Sequence, residues 1–404
     1  MSKLTLGDVA EYSSYRISLE EISISNYVTT DNLEQNKKGK IDAEKLPPQT
    51  GNVTQFEKGN ILISNIRPYL KKIWFADEIG GNSADVLTLI VNNHFNSEFI
   101  YYCLHHDSFF EHMMNGSKGT KMPRGDKTQI LDYPIPNFEI NTQNQIAKAL
   151  SDLDAKIELN NKINAELEGM AKLIYDYWFV QFEFPDKNGK PYKSSGGKMV
   201  YNAELKREIP EGWEVNRFEN FAAFKNGKGI HKSNFKKNGL YSVYGSNGVI
   251  AKTDNYLFDD PVIAIGRVGA NYGEVRYSIN YCWVSDNAVT VQPLNDSYYW
   301  WLLESLRIVN YSNIAGGSAQ PLITQGKLKA LKIASAPQKI YNDFHEIVNP
   351  LYLKLESNIK QNQELSSLRD WLLPMLMNGQ VSVKGAYEKM EEVELGVAAE
   401  GDKI

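Results

Sequence analysis

Apolar residues recur at alternating steps of four and three through Ile146, Leu150, Leu153, Ile157, Leu167, Ala171, Ile174 and Trp178, the spacing of a coiled-coil seam. The two central rungs are Asn160 and Asn164. A second ladder runs Phe344, Val348, Leu351, Leu355, Asn358, Asn362, Leu365, Arg369, Leu372 and Leu376, again with asparagine in the two middle rungs. The stretches IELNNKINAEL from residue 157 and LESNIKQNQEL from residue 355 lie 198 apart with no gap, so the element is duplicated. The pattern predicts one long helix from about Asn141 to Phe182 and another after Pro337. Pro350 predicts a kink, or a restart with Asn349 as N-cap, and Pro374 an end or bend.

At the same offset Gly119-Thr120-Lys121-Met122-Pro123 falls on Gly317-Ser318-Ala319-Gln320-Pro321, a shared G-[ST]-x-x-P loop ahead of each helix. Short strand-like runs precede it, at 61–75 and 85–91, followed by a helix-like stretch at 97–114. The second half repeats the order with PVIAIGRVG, AVTVQPL and SYYWWLLESLRIV. The expected class is α+β with a pseudo-twofold internal repeat. Residues 1–142 form a first domain, 143–182 a central helix and 183–208 a Gly/Pro/Ser/Lys-rich linker. Residues 209–337 form a second domain and 338–383 a C-terminal helix; the acidic 384–404 is expected to be mobile.

An asparagine on a seam costs stability unless it finds a partner, and its best-attested use is to fix register and partner number. Antiparallel pairing of the two helices puts Asn160 near Asn362 and Asn164 near Asn358; parallel pairing also matches Asn with Asn, so the pattern leaves direction open. From Ile146 to Trp178, at ~1.5 Å per residue, the rod is about 50 Å long. Such a ruler suits two DNA half-sites one helical turn apart.

Composition narrows the class. A chain of 404 residues with a repeat of half that length fits two cores. No apolar run approaches the roughly 18 residues that span a bilayer, and the N-terminus lacks the basic and apolar segments of a signal peptide, so the expected location is the cytoplasm. Cys103 and Cys282 lie far apart, as buried reduced thiols would. The net charge of −5 argues weakly against a nucleic-acid binder, yet basic residues are concentrated locally. FKNGKGIHKSNFKKNG carries Lys225, Lys228, Lys232, Lys236 and Lys237 without an acid, and GSKGTKMPRGDK is similar. Gly-rich basic loops suit a phosphate backbone.

These features resemble the specificity subunit of type I restriction-modification enzymes over nearly the whole chain. TLGDV, the 176–215 segment DYWFVQFEFPDKNGKPYKSSGGKMVYNAELKREIPEGWEV and LLPMLMNGQV look like segments that recur in that family. The resemblance implies a non-catalytic subunit with two target-recognition domains, each reading half of a bipartite double-stranded DNA sequence, spaced by an antiparallel coiled coil. It implies two modification subunits as partners, restriction and translocation subunits beside them, and no membrane. No cofactor is implied for this chain, whereas S-adenosylmethionine, ATP and Mg²⁺ are implied for the partners.

The family's DNA-facing loop carries over to Gly119, Thr120, Lys121 and Arg124, with Lys118 beside them, and to Gly317, Ser318 and Gln320. Arg67 and Arg267 follow comparable strand-like runs and join the candidates, and Lys228, Lys232, Lys236 and Lys237 would hold phosphates. The halves resemble each other loosely outside the loop, which implies different half-sites.

Catalytic patterns do not hold together. Asn349-Pro350-Leu351-Tyr352 lacks the second proline of an adenine-methyltransferase N-P-P-Y, and GRVGANYG at 266–273 has the wrong glycine spacing for a dinucleotide or methyl-donor loop. Pro185-Asp186 with Glu204-Leu205-Lys206 fits a loose nuclease pattern but falls in the linker. Cys103, His105, His106 and His112 are better read as helix residues than as a zinc site. The alternatives to DNA recognition are a coiled-coil scaffold without sequence readout and, behind it, a fused methyltransferase or nuclease.

Overall fold

Both apolar ladders fold as helices, Ile140–Tyr175 and Gln338–Met377. The computed structural model describes residues 4–48, 51–119, 121–316 and 321–401, with 394–401 as backbone only. The chain divides into two compact units. One comprises Met1–Asn161 with Ser357–Ile404, the other Lys162–Glu356, so each long helix contributes to both.

In the first unit a four-stranded antiparallel sheet runs in the order Ala10–Tyr12, Val86–Val91, Ile61–Ser64, Ile73–Phe75. A second sheet orders Arg16–Ser18, Asn52–Phe56, Gly80–Asn82 and Tyr27–Val28. The second unit repeats the first of these sheets with Ala222–Asn226, Ala288–Pro293, Val262–Gly266 and Val275–Ser278, all antiparallel. Beside it lies a three-stranded sheet of Gly248–Thr253, Tyr241–Gly245 and Cys282–Val284.

The repeat keeps two offsets. Thr88 opposite Leu62 matches Thr290 opposite Ala264, and helices Ser97–His105 and Tyr299–Arg307 share the same spacing of 202. From the loop onward the offset is 198, as between Ile140 and Gln338. The first unit spends its four extra residues on the helix Asp107–Asn115, where the second has the single turn Tyr311–Asn313. The stretch read as one helix at 97–114 is therefore two, broken at His106, whose ring accepts from the Ser108 N–H at 3.2 Å.

Within the first unit the two helix segments run antiparallel. Ile146, Leu150, Leu153, Leu365, Leu372 and Leu376 share one core with the sheet and with Phe99 and Phe110. Each fully buried leucine contributes roughly 1.5–3 kcal/mol. Asn160 is buried and donates to Gln361 Oε1 at 2.7 Å and Asn362 Oδ1 at 2.8 Å, and Asn362 in turn donates to Asn161 at 2.9 Å. Asn358 is buried in the first unit's part of the second helix, while Asn164 belongs to the second unit's part of the central helix.

The second unit has an aromatic core. The central helix ends in a wider turn over Asp176–Val180, and Trp178, Phe179 and Phe182 enter a cluster with Trp213, Trp301, Tyr341 and Phe344. The segment read as a linker is folded here. Phe184 stacks on Tyr192 at 4.7 Å and on Trp213 at 5.3 Å, and Met199–Asn202 pairs with Arg207–Pro210. Its Gly, Ser and Lys residues serve turns between these anchors, which is why its average composition reads as a linker.

Two other expectations change. The second long helix passes unbroken through Pro350 and beyond Pro374, to Met377. Pro350 is exposed, so the Glu346 carbonyl that loses its amide partner faces water. Asn349 caps nothing; its Oδ1 accepts from Trp300 Nε1 at 2.9 Å. The tail expected to be mobile is a helix, Val383–Gly401. Ala386 is fully buried, Met390 and Val393 pack on the first core, and Tyr387 donates to Asp152 at 2.8 Å. That stripe has helical spacing, hidden in an acidic average.

Asp154 ties the sheet-side helix to the long pair, accepting from Tyr102 Oη at 2.8 Å and Arg369 Nη1 at 2.6 Å. Asp154→Ala leaves the Tyr102 hydroxyl without this partner and Arg369 with Asp370 alone, in a largely buried setting. The expected loss is about 2–3 kcal/mol, read as a lower urea midpoint at unchanged slope. A loss below about 0.5 kcal/mol would mean that the pair behaves like an exposed one.

Candidate nucleic-acid interface

The loop ahead of each long helix is pinched at its base in the same way. Lys118 and Arg124 exchange backbone hydrogen bonds at 2.9 and 3.0 Å, and Gly316 and Leu322, each 198 residues on, do so at 2.9 and 2.8 Å. The pinch is fastened to the end of a strand. Gly125 N–H donates to Asn65 O at 3.1 Å in the first unit, and Ile323 N–H to Arg267 O at 2.9 Å in the second. Ile66 bridges Arg124 and Val268 bridges Leu322. Gly119 sits at φ 94, so glycine suits the first loop's turn. Thr120, Gly317, Ser318 and Gln320 lie outside the described residues.

In the first unit the described loop presents cations. Lys121 is exposed, Lys118 pairs with Asp126 at 2.9 Å, and Arg124 pairs with Asp85 at 3.0 Å while staying 58% exposed. Arg67 is exposed alongside, its N–H donating to Pro123 O at 2.8 Å. It holds φ 51, a left-handed backbone that costs an arginine about 1 kcal/mol. Lys71 holds the same φ and, with Lys37, grips Asp107 at 2.6 and 3.0 Å. Partial burial pushes the Asp107 carboxyl up, and the two ammoniums more than offset it, holding it down at about 2.

Arg67 and Arg267 are not equivalent positions. At the strand offset of 202 the counterpart of Arg267 is Asn65; their N–H groups donate to Asp85 O and Asn287 O, at 2.8 and 3.0 Å. Arg267 is half-buried and its Nε has no partner among the described residues. The sequence misled because both arginines follow similar apolar runs, two residues out of register.

The lysine-rich loop also divides. Lys228 N–H donates to Val284 O at 2.9 Å, placing it at the turn that holds Asn287 and Arg267. Lys236 N–H donates to Lys252 O at 2.8 Å, and Lys252 pairs with Ser242 at the opposite end of Tyr241–Gly245. Val284 pairs with Tyr244 of that strand, so at ~3.3 Å per residue the two anchors are roughly 7 Å apart along it, on the strands that flank it. Lys232 lies between, in the turn Lys232–Asn234, and Lys237 adjoins Lys236. The structure thus places Lys228 on Cys282–Val284, close in sequence to the Asn287 that Arg267 meets, and Lys236 by the other edge strand of the small sheet.

The residues of the rejected catalytic patterns are occupied otherwise. Tyr352 stacks on Trp300 at 3.9 Å and donates to buried Glu304, which Arg307 also meets at 2.8 Å. Asp186 caps a turn through the N–H groups of Asn188 and Lys190, and Glu204 pairs with Lys332 at 2.8 Å. His112 contacts Gln129 O at 2.7 Å, and Cys103 lies 3.6 Å from Met377 Sδ. Both cysteines are buried free thiols. Among the described residues no group of His, Cys, Asp or Glu could hold a metal, and no helix is long and apolar enough to cross a membrane.

Two copies of one family model match the chain, over residues 1–169 and 210–366: the type I restriction modification DNA specificity domain. The chain belongs to that family. Among similar proteins, the type I restriction enzyme MjaIX specificity subunit of Methanocaldococcus jannaschii is 27% identical over 359 residues, covering 81% of this chain and 79% of that protein. The HindI specificity subunit of Haemophilus influenzae is 22% identical, covering 93% and 98%. The fold is that of a solved type I S subunit from M. genitalium, with a TM-score of 0.60 at 17% identity over 93% of this chain and 95% of that one. As a type I specificity subunit the chain is a recognition subunit and not an enzyme, and its two specificity domains fit a target in two parts. Lys121→Ala is expected to lower the slope of log affinity for DNA against log salt by roughly 1, without changing the melting temperature, because the side chain is exposed.

Proposed function

We propose that each unit reads one half of a bipartite DNA sequence through the pinched loop and the strand ends that fasten it, and that the paired helices dock two modification subunits. The supporting observation is the duplicated pinch itself. The same seven-residue span, Lys118–Arg124 and Gly316–Leu322, is anchored to the equivalent strand end in both specificity domains. In the first unit it displays Lys121 and Arg124 with Arg67 beside them, groups that pair with guanine edges or phosphates. In the second, Arg267 O fastens the loop through Ile323 N–H, and Lys228 is held by Val284 O.

Chemistry then falls to the partners. The modification subunits would use S-adenosylmethionine to methylate adenines in the two half-sites, and restriction subunits would use ATP and Mg²⁺ to translocate and cut. A bare scaffold does not require two loops stapled alike, the first of them cationic.

The deciding experiment is single-molecule sequencing of adenine methylation in DNA from cells that express the chain with its cognate modification subunit. A two-part motif with a fixed gap is expected, and exchanging residues 1–142 for those of a relative is expected to change one part alone. An active partner with no chain-dependent motif would leave the scaffold reading in its place.

A further inference from the structure

The two loops just described each lie against a hairpin turn, of which the function so far uses Arg67 alone. Strands Ile61–Ser64 and Ile73–Phe75 are joined by one, and Val262–Gly266 and Val275–Ser278 by the other. The turns share two backbone hydrogen bonds at the offset of 202. Ser64 N–H donates to Lys72 O at 3.1 Å as Gly266 N–H does to Glu274 O at 2.8 Å. Leu70 N–H donates to Arg67 O at 2.9 Å as Tyr272 N–H does to Gly269 O at 3.4 Å.

Both turns require left-handed backbone at two places. The second unit supplies glycine at each, Gly269 at φ 81 and Gly273 at φ 85, which accounts for the glycine spacing of GRVGANYG. The first supplies Arg67 and Lys71, both at φ 51. Lys71 is explained by its ion pair with Asp107 and by the Lys37 N–H on its carbonyl at 2.8 Å. Arg67 has no such explanation: its side chain is exposed and makes no ion pair or hydrogen bond among the described residues. A cation kept where the backbone favours glycine points to a use outside the fold.

What the turns display differs while the two shared bonds and the two left-handed positions are kept. Between the left-handed positions stand Pro68-Tyr69-Leu70 in one unit and Ala270-Asn271-Tyr272 in the other. Tyr69 is 51% exposed and Asn271 is exposed, each at the apex. Each turn abuts its loop, through Arg67 N–H on Pro123 O and the Val268–Leu322 bridge.

We propose that this hairpin turn is a second reading element in each domain, with Arg67 and Tyr69 contacting bases of the first half-site and Asn271 of the second. This rests on the DNA-reading function proposed above. An arginine fork matches guanine O6 and N7, an asparagine amide matches adenine N6 and N7, and a tyrosine offers a hydroxyl and a ring edge. A major groove about 12 Å wide admits a hairpin of this size.

The test uses the full chain with its modification subunit. For the wild type and for Arg67→Gly, Tyr69→Asn and Asn271→Ala, methylated motifs are sequenced from cells, and the melting temperature of the purified chain is measured. Arg67→Gly is expected to keep or raise the melting temperature, since glycine suits the backbone. It should also relax one position of the first half-site by about tenfold or more in discrimination, leaving the second half intact. Tyr69→Asn should alter the first half alone, and Asn271→Ala the second alone. Unchanged discrimination in all three variants with methylation retained would overturn the inference, as would equal loss in both halves with a lower melting temperature. A wild-type chain that directs no two-part motif would reject the underlying function itself, and this inference with it, before any variant is compared.

Discussion

A primary amide placed on an apolar seam has to find partners there, and only one register supplies them. Asn160 finds Asn362 and Gln361, and the register that joins them also sets Asp154 against Arg369. A slip by one rung would oppose Asn160 to Leu365 in one direction and Asn362 to Ile157 in the other, burying an amide against a hydrocarbon, which costs on the order of 1–3 kcal/mol. Leucine alone would hold the segments together more strongly, but it would tolerate the slip. The asparagines trade stability for alignment, and everything hung on the first unit's helices inherits that alignment. Tyr387, on the helix that follows the second long one, reaches Asp152 of the first in that alignment.

Much of this was legible in the chain because a 3.6-residue period and a repeat are long-range patterns. The seam, the order of strand, helix, loop and helix, and the loop carried over at 198 all appear in the structure. What escaped was local. Ala386, Met390 and Val393 make too thin a stripe to stand out in an acidic tail, and Pro350 is tolerated because it faces water, which is a tertiary fact. The mismatch of Arg67 with Arg267 has a single cause. The helix Asp107–Asn115 adds four residues between sheet and loop, so no one offset serves both. The basic loop looked like one patch because sequence proximity cannot show that a strand intervenes between Lys228 and Lys236.

The units also separate two roles that a sequence comparison blurs. Backbone hydrogen bonds fix the loop pinch identically in both, whereas side chains in the cores have diverged, aliphatic with Phe99 and Phe110 in one, dominated by Trp301, Trp213 and Tyr341 in the other. Main-chain pairing does not depend on residue type. A domain built this way keeps its display geometry while its interior is repacked.

The division of the chain has a consequence for its synthesis. The second unit is one continuous stretch, Lys162–Glu356, whereas the first is completed by Ser357–Ile404, made last. Ile146, Leu150 and Leu153 therefore leave the ribosome long before Leu365, Leu372 and Leu376, the residues that share their core. The usual order, in which the N-terminal part folds first, is interrupted. During that interval the nascent chain carries an uncovered apolar stripe, and a product truncated before residue 357 would carry it permanently, as a substrate for chaperones and proteases.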